Sequence, residues 1–405
     1  MHRLPILRLS LFTLALAVVG GCGGSSPTPS APSATTPTAT TPTTTPPTTT
    51  TPTPTPPTSS VQACKLTNPF ATGVGFGFPR STARLKASGN VRITVLFVDF
   101  SDAVSTRTPE AVFGLIASSS AYFRTVSYGA MNVTYEPSYT WLRMSKPSTA
   151  YGWSALTFAL HHAYIQEAIN LAGTSVDFSN ADGFVIMANP DATALRNGPA
   201  FTANRGGGVN ARGRILDNGI TSGNDLLNWG YYWANHELGH NLTLPDLYHS
   251  SGSAHRSVGM FSLMGNTAGR AFELFGFERW SLGWIADDQV VCAGSGETRA
   301  TLSPVVRPGG TKMLIVPLSS TSAIVVESRR IESHDAGFTP GALVYFVNTA
   351  VRSLDGPIRV LPINDADLTK GSAPLTAGRS LTHEGVTVTV VSSDGSGDVV
   401  TVSRP

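Results

Sequence analysis

The stretch "WANHELGHNLTLPDLYH", residues 233–249, constrains this chain more than any other. His236 and His240 stand four apart, and a helix of 3.6 residues per turn stacks such a pair on one face. The spacing predicts a helix that ends before Pro245, whose ring and missing N–H cannot continue it. The chain then turns back and presents Asp246 beyond the second histidine. With 9 histidines in 405 residues, a His-Glu-x-x-His arises by chance roughly 0.005 times, so coincidence explains it poorly.

Two imidazoles on one helical face are able to bind a single zinc ion, and Glu237 points across that face toward the metal's open position. Zinc lowers the pKa of its bound water to about 7, and a carboxylate at this spot takes the proton as the water attacks a carbonyl. The constellation specifies hydrolysis, most often of a peptide bond. Two core histidines with satisfied hydrogen bonds would leave Glu237 unexplained. A purely structural zinc favours four protein ligands, mostly cysteine.

The remainder of the chain places this chemistry. Residues 1–24 carry Arg3 and Arg8 before an apolar run from Leu9 to Val19, too short to span a bilayer comfortably, and read as an export signal peptide. The run ends in "VGGC", which resembles the bacterial lipoprotein signal, with Cys22 as the residue acylated after cleavage. Plain secretion after the small residues is the alternative. Gly23 supplies no aspartate after the cysteine, so nothing argues for inner-membrane retention, and the expected location is the cell surface, the outer membrane or the extracellular medium.

Residues 25–60 are almost wholly Thr, Pro, Ser and Ala, unable to pack a core and biased to extended polyproline geometry. At about 3.1 Å per residue this spacer reaches on the order of 110 Å. Beyond it, Cys64 and Cys292 are free to pair in an oxidising compartment, or to remain as two buried thiols. A formal net charge of +2 with 13% charged residues offers no basic stripe for nucleic acid.

Within the folded part, "VRITVLFVDFSD", residues 91–102, reads as a buried strand. One helix is expected from Thr108-Pro109 to Gly129, then a strand with Val133 and Tyr135 on one side, then a helix over residues 155–173. His161 and His162 are neighbours on that helix, face different directions and read as ordinary helix residues. "VDFSNADGFVIMANP" gives a turn and a strand from Phe184 to Ala188, and Asp177 and Asp182 are able to hold calcium, although a tight turn explains them equally well. Residues 191–230 are rich in Gly and Asn without periodicity, a long loop of the kind that walls a cleft. The element order implies an α+β domain. After residue 285, short alternating strands such as "KMLIVPL", "AIVVESRR" and "VTVTVVSS" predict a β-sandwich-like domain over 286–405.

"HELGHNLTLPDLY" resembles the extended zinc motif of the immune inhibitor A family of secreted bacterial metallopeptidases, relatives of the metzincins, with Thr243 where that family has glycine. "VLFVDFSD", "YFRTVSYGAMNV", "VGMFSLMG", "FERWSLGWI" and "IVVESRR" resemble successive blocks of the same family in the same order. The resemblance implies a zincin or metzincin-like catalytic domain over 61–285, with a mixed sheet and an active-site helix. It implies zinc held by His236, His240 and Asp246, and Met264 of "SLMG" as a methionine turn beneath the histidines. Apolar residues at 272, 275, 280 and 284 suit a helix closing that domain, and Glu327 with Arg329 reads as a solvated ion pair at a strand end.

Thr243 opens one alternative, because a β-branched residue resists the positive φ that glycine adopts. Asn241 tolerates it better and is able to take the turn one step earlier. Asp246 would then swing away, leaving Glu273 on a later helix as third ligand. His249 and His255 fall off the ligand spacing. A further alternative makes Cys64 a thiolate that blocks zinc in a latent enzyme. The function expected is an extracytoplasmic zinc endopeptidase acting on protein or peptide substrates and tethered by its lipid. The alternative is a catalytically weak surface lipoprotein that uses the same scaffold for binding, and the intact Glu237 discriminates against it.

Overall fold

In the computed structural model, residues 60–70 and 73–405 are described. The signal, Cys22 and nearly all of the Thr/Pro spacer lie outside them. Among the described residues, no helix is long and apolar enough to cross a membrane.

The first half is built on strands β1 (Gly89–Asp99), β2 (Met131–Arg143), β3 (Gly183–Ala188), β4 (Ala200–Thr202), β5 (Val209–Ala211), β6 (Arg214–Leu216) and β7 (Asn218–Thr221). Five of them form a mixed sheet in the order β2-β1-β3-β7-β4. β1 pairs in parallel with β2 and β3, β3 with β7, and β4 closes the edge antiparallel to β7.

β1 is buried on both faces from Ile93 to Asp99, so its two-residue period sorts side chains between two cores. Val95 and Phe97 join one cluster, while Leu96 and Val98 join another across the sheet. Fully burying each such side chain is worth about 1.5–3 kcal/mol before conformational entropy is counted.

The helices that cover these faces are α1 (Pro109–Gly114), α2 (Ser119–Val126), α3 (Phe158–Ala172), α4 (Leu226–Trp229), α5 (Tyr231–Asn241) and α6 (Gly276–Ser281). α3 buries His161, Tyr164, Ile165, Ala168, Ile169 and Ala172, a stripe at threes and fours, and its N-terminus is capped by the Thr157 hydroxyl. The single helix expected over 108–129 is broken in two. Thr108 and Pro109 do start it, but Gly114 and the serines at 118–120 favour a break in which Ile116 N bonds back to Phe113 O.

The expected loop 191–230 contains β4, the β5–β6 hairpin, β7 and α4. Its strands are only 3 or 4 residues long, too short to reveal a period. Gly219 in β7 is required by a neighbour, since a Cβ there would lie 2.4 Å from the Phe184 ring.

The second half comprises β8 (Val290–Cys292), β9 (Gly296–Leu302), β10 (Met313–Pro317), β11 (Ser322–Arg329), β12 (Gly341–Asn348), β13 (Ile358–Val360), β14 (Ser380–His383), β15 (Val386–Asp394) and β16 (Gly397–Arg404). Two sheets, β13-β12-β11-β10-β8 and β14-β15-β16-β9, face each other through Leu314, Ile324 and Val344 on one side and Val388, Val390 and Val400 on the other. The first of these sheets is covered on its other face too, where Ile315, Val325 and Tyr345 share a core with Phe275, Phe277 and Trp280.

That double cover corrects two expectations. Glu327 and Arg329 are fully buried rather than solvated: Arg329 donates to Glu327 Oε1 at 2.7 Å and Asp335 Oδ2 at 2.7 Å, and the Tyr345 hydroxyl donates to Glu327 Oε2 at 2.7 Å. A central strand has no solvent at its end when both faces are occupied. The helix expected across residues 272–284 is confined to α6, because Glu278 Oε2 accepts Phe275 N at 2.8 Å and Glu327 Oε2 accepts Gly276 N at 2.6 Å, which starts the helix late. Gly283, at φ 79°, stops it.

Cys64, at the end of a short turn over Val61–Cys64, is joined to Cys292 of β8 by a disulfide with Cα atoms 5.8 Å apart.

Candidate metal centre

α5 carries the two histidines, and its burial fixes which way they face. Trp233, Ala234, Leu238 and Gly239 are turned into the core, and His236 is buried with them. The His236 and His240 rings stand 4.9 Å apart at 89°. His236 Nδ1 lies 3.0 Å from Leu263 O, and His240 Nδ1 lies 2.7 Å from Leu244 O. A carbonyl accepts only from an N–H, so both Nδ1 atoms are protonated and both Nε2 atoms are turned to a common point.

Asp246 Oδ1 meets them there, 3.0 Å from His236 Nε2 and 3.3 Å from His240 Nε2. The turn that delivers Asp246 is made at Thr243 itself. Thr243 is fully buried at φ 104°, while Asn241 ends α5 in helical conformation, so the turn does not move back to Asn241. Gly75 N donates to Thr243 O at 2.7 Å, and Leu244 N bonds back to Gly239 O at 2.9 Å, which together hold the strained residue.

Among the described residues, His236, His240 and Asp246 are the one group of three such side chains placed to share an ion, with their ligand atoms all within 4.8 Å of one another. Ligands about 2.0–2.2 Å from a tetrahedral zinc lie roughly 3.3–3.5 Å apart, close to the Nε2–Oδ1 spacings found here. Two imidazoles and one carboxylate suit zinc, whereas calcium takes oxygen alone. Among the described residues, Asp177 and Asp182 belong to no such group of three. Asp177 accepts Ser179 N at 2.8 Å within its turn, and Asp182 pairs with Lys86 at 2.9 Å.

The electrostatics follow from three charges in close quarters. Burial alone would raise the Asp246 carboxyl, but His240 and His236 outweigh it and hold it well below the usual carboxylate range. Burial would likewise lower His240, yet Asp246 dominates and pushes it up to about 9. Glu237 is raised by burial, a shift that the two histidines oppose. Its Oε2 accepts Ala200 N, at the start of the edge strand β4, at 2.7 Å.

These groups open onto a cavity of ≈ 640 Å³ whose walls include Pro199, Ala200, Trp229, Tyr248, His255 and Ser353. Met264 is fully buried beneath α5, against Gly239. The other sequence candidates lie elsewhere. Glu273 is buried in an ion pair with Arg279, and Cys64 is in its disulfide. His249 is bonded to Ser257 Oγ at 2.7 Å, while His161 is buried against Thr221 and held down to about 4 by desolvation. His255 reaches the cavity wall but bonds Gly265 O at 3.0 Å. Sequence reasoning missed Ser353, whose hydroxyl donates to Asp246 Oδ2 at 2.8 Å. Lying 107 positions away, it carries no local signal.

No protein-family model matches the chain, and no curated protein matches it. Among solved structures, metalloproteinase-II from Bacteroides fragilis aligns at 15% identity with a TM-score of 0.28, covering 56% of this chain and 60% of that one. Wild-type OgpA from Akkermansia muciniphila aligns at 14% identity with a TM-score of 0.28, over 80% of this chain and 91% of that one. The present chain therefore spans 60% of the length of the first. Neither likeness is close enough to transfer a residue's role.

Proposed function

We propose that the chain is a zinc-dependent endopeptidase that hydrolyses peptide bonds outside the cytoplasm, a zincin of metzincin type related to the immune inhibitor A family. The observation that carries this reading is the convergence of His236 Nε2, His240 Nε2 and Asp246 Oδ1 beside Glu237 at the wall of one cavity. Zinc, when bound by these three side chains, supplies Lewis acidity sufficient to bring the pKa of a coordinated water to about 7.

The chain's own groups supply the rest. Glu237, with a carboxyl raised by burial, is suited to take a proton from the attacking water and to return it to the leaving amine. Leu263 O and Leu244 O hold the imidazoles in the tautomer that presents Nε2. Edge strand β4 borders the cavity at Ala200 and Thr202, which suits an extended peptide lying along it. Residues 61–285 form the catalytic part and 286–405 the β-rich part of this reading. Cys22 acylation and the Thr/Pro spacer would tether it at a membrane surface. A noncatalytic binding module on the same scaffold would need Glu237 only for its bond to Ala200 N, and not beside the ligand set.

The test is zinc quantification with a protease assay on purified residues 61–405, native and Glu237→Gln. Both proteins are expected to hold zinc, and the variant to lose about 10²–10⁴-fold in activity. Undiminished proteolysis by the variant would remove Glu237 from the mechanism, and a native protein without zinc would end the reading.

A further inference from the structure

Asp246 has two carboxylate oxygens, and the structure treats them differently. Oδ1 faces the two imidazoles, while Oδ2 accepts from the Ser353 hydroxyl at 2.8 Å. The same hydroxyl oxygen accepts the backbone N–H of Asp246 at 2.9 Å. Ser353 therefore closes a ring on one residue, donating to its side chain and accepting from its main chain, which among small side chains only a hydroxyl does.

Ser353 is delivered by the connection between β12 and β13, far from α5 in sequence. That connection is pinned at its base, where Asn348 N donates to Pro357 O at 2.9 Å. Its tip is pinned to the ligand loop: Leu354 N donates to Asp246 O at 3.2 Å, and Ser250 N donates to Leu354 O at 3.3 Å. Leu354 lies at φ 71° and Gly356 at φ 75°. A Cβ on Gly356 would approach Ser257 Oγ to 2.5 Å and His249 Nε2 to 2.7 Å, so the loop fits against the segment after Asp246 with no room to spare. Ser353 also stands in the wall of the cavity.

We infer that Ser353 is a positioning residue for the metal centre, and that the β-rich half completes the site rather than standing beside it. By occupying Oδ2, the Ser353 hydroxyl reserves Oδ1 for the ion and fixes the rotation of the Asp246 carboxylate. The inference rests on the zinc reading proposed above and deepens it.

The experiment measures zinc affinity by chelator competition, together with thermal unfolding of the metal-free protein, for native chain, Ser353→Ala and Ser353→Thr. Loss of a group that orients a metal ligand is expected to weaken zinc roughly 10–100-fold in the alanine variant, and the threonine variant, which keeps the hydroxyl, is expected within about threefold of native. A purely structural serine would lower the metal-free melting temperature and leave zinc affinity unchanged, which would overturn the inference. So would a threonine variant as weak as alanine. Should Ser353→Ala not fold, Ser353→Gly is held to the same criterion. A native protein that binds no zinc defeats the proposed function itself, whereas equal binding by native and Ser353→Ala defeats only the role of Ser353.

Discussion

Gly239 and Met264 are in contact beneath the candidate metal centre: a Cβ placed on residue 239 would lie 2.5 Å from Met264 Sδ and 3.1 Å from its Cε. The bare backbone between the two histidines lets the Met264 segment approach α5 closely. From there Leu263 O reaches His236 Nδ1, and Met264 O accepts Leu247 N at 2.9 Å. The glycine is therefore set by packing, since helix propensity alone would prefer alanine there.

Gly239→Ala tests that contact. Alanine gains about 1 kcal/mol of helix propensity, whereas overpacking a closed core costs about 1–3 kcal/mol, so net destabilisation of up to about 2 kcal/mol is expected. Urea unfolding of the metal-free protein measures it. A variant more stable than native by the full propensity gain would mean that Met264 yields at no cost.

Thr243→Gly is expected to stabilise. The native residue is β-branched at φ 104° and its buried hydroxyl has no hydrogen-bond partner. Relief of backbone strain and of an unsatisfied buried hydroxyl, about 1–3 kcal/mol each, outweighs the extra chain entropy of glycine, about 0.5–1 kcal/mol, and the lost methyl contact, so a net gain is expected. Thermal unfolding decides, and a lower melting temperature would show that the Thr243 methyl packs for more than the strain it carries.

Zinc affinity is expected to rise with pH. In the metal-free protein the His240 imidazole is raised from 6.5 to about 9 by Asp246, against the effect of burial. Its charged pairing therefore contributes stability in full below pH 6.5 and loses it as pH climbs through about 9. Zinc takes the unprotonated ring, so binding below that value expels one proton, and apparent affinity should grow about tenfold per pH unit before levelling near pH 9. Competition titrations at several pH values check this; a flat profile from pH 6.5 to 9 would contradict a protonated His240.

Removing the Cys64–Cys292 bridge should be costly. It closes a loop of 228 residues, worth about 5 kcal/mol on the chain-entropy model. The double variant Cys64→Ala/Cys292→Ala is expected to lower the unfolding midpoint by a corresponding amount while retaining zinc. Loss of zinc in a variant that remains folded would instead connect Cys64 to the metal centre, contrary to its position in the disulfide.

The sequence by itself determined what depends on neighbours along the chain. The four-residue spacing of His236 and His240 is a property of any helix, Pro245 ends that helix, and the continuous β-branched and aromatic run in β1 marks a buried strand. The tertiary structure alone decided what depends on remote partners. Nothing near Thr243 announces that a threonine will hold φ 104°; Gly75 and the surrounding core impose it. Glu327 and Arg329 read as a surface pair until α6 and the facing strands remove their solvent. Ser353 has no motif, since a hydroxyl's partner is chosen by where two loops meet rather than by spacing. Local periodicity is written in backbone geometry and can be read from residue type, whereas long-range pairing is selected by the packing of whole elements, which no short stretch encodes.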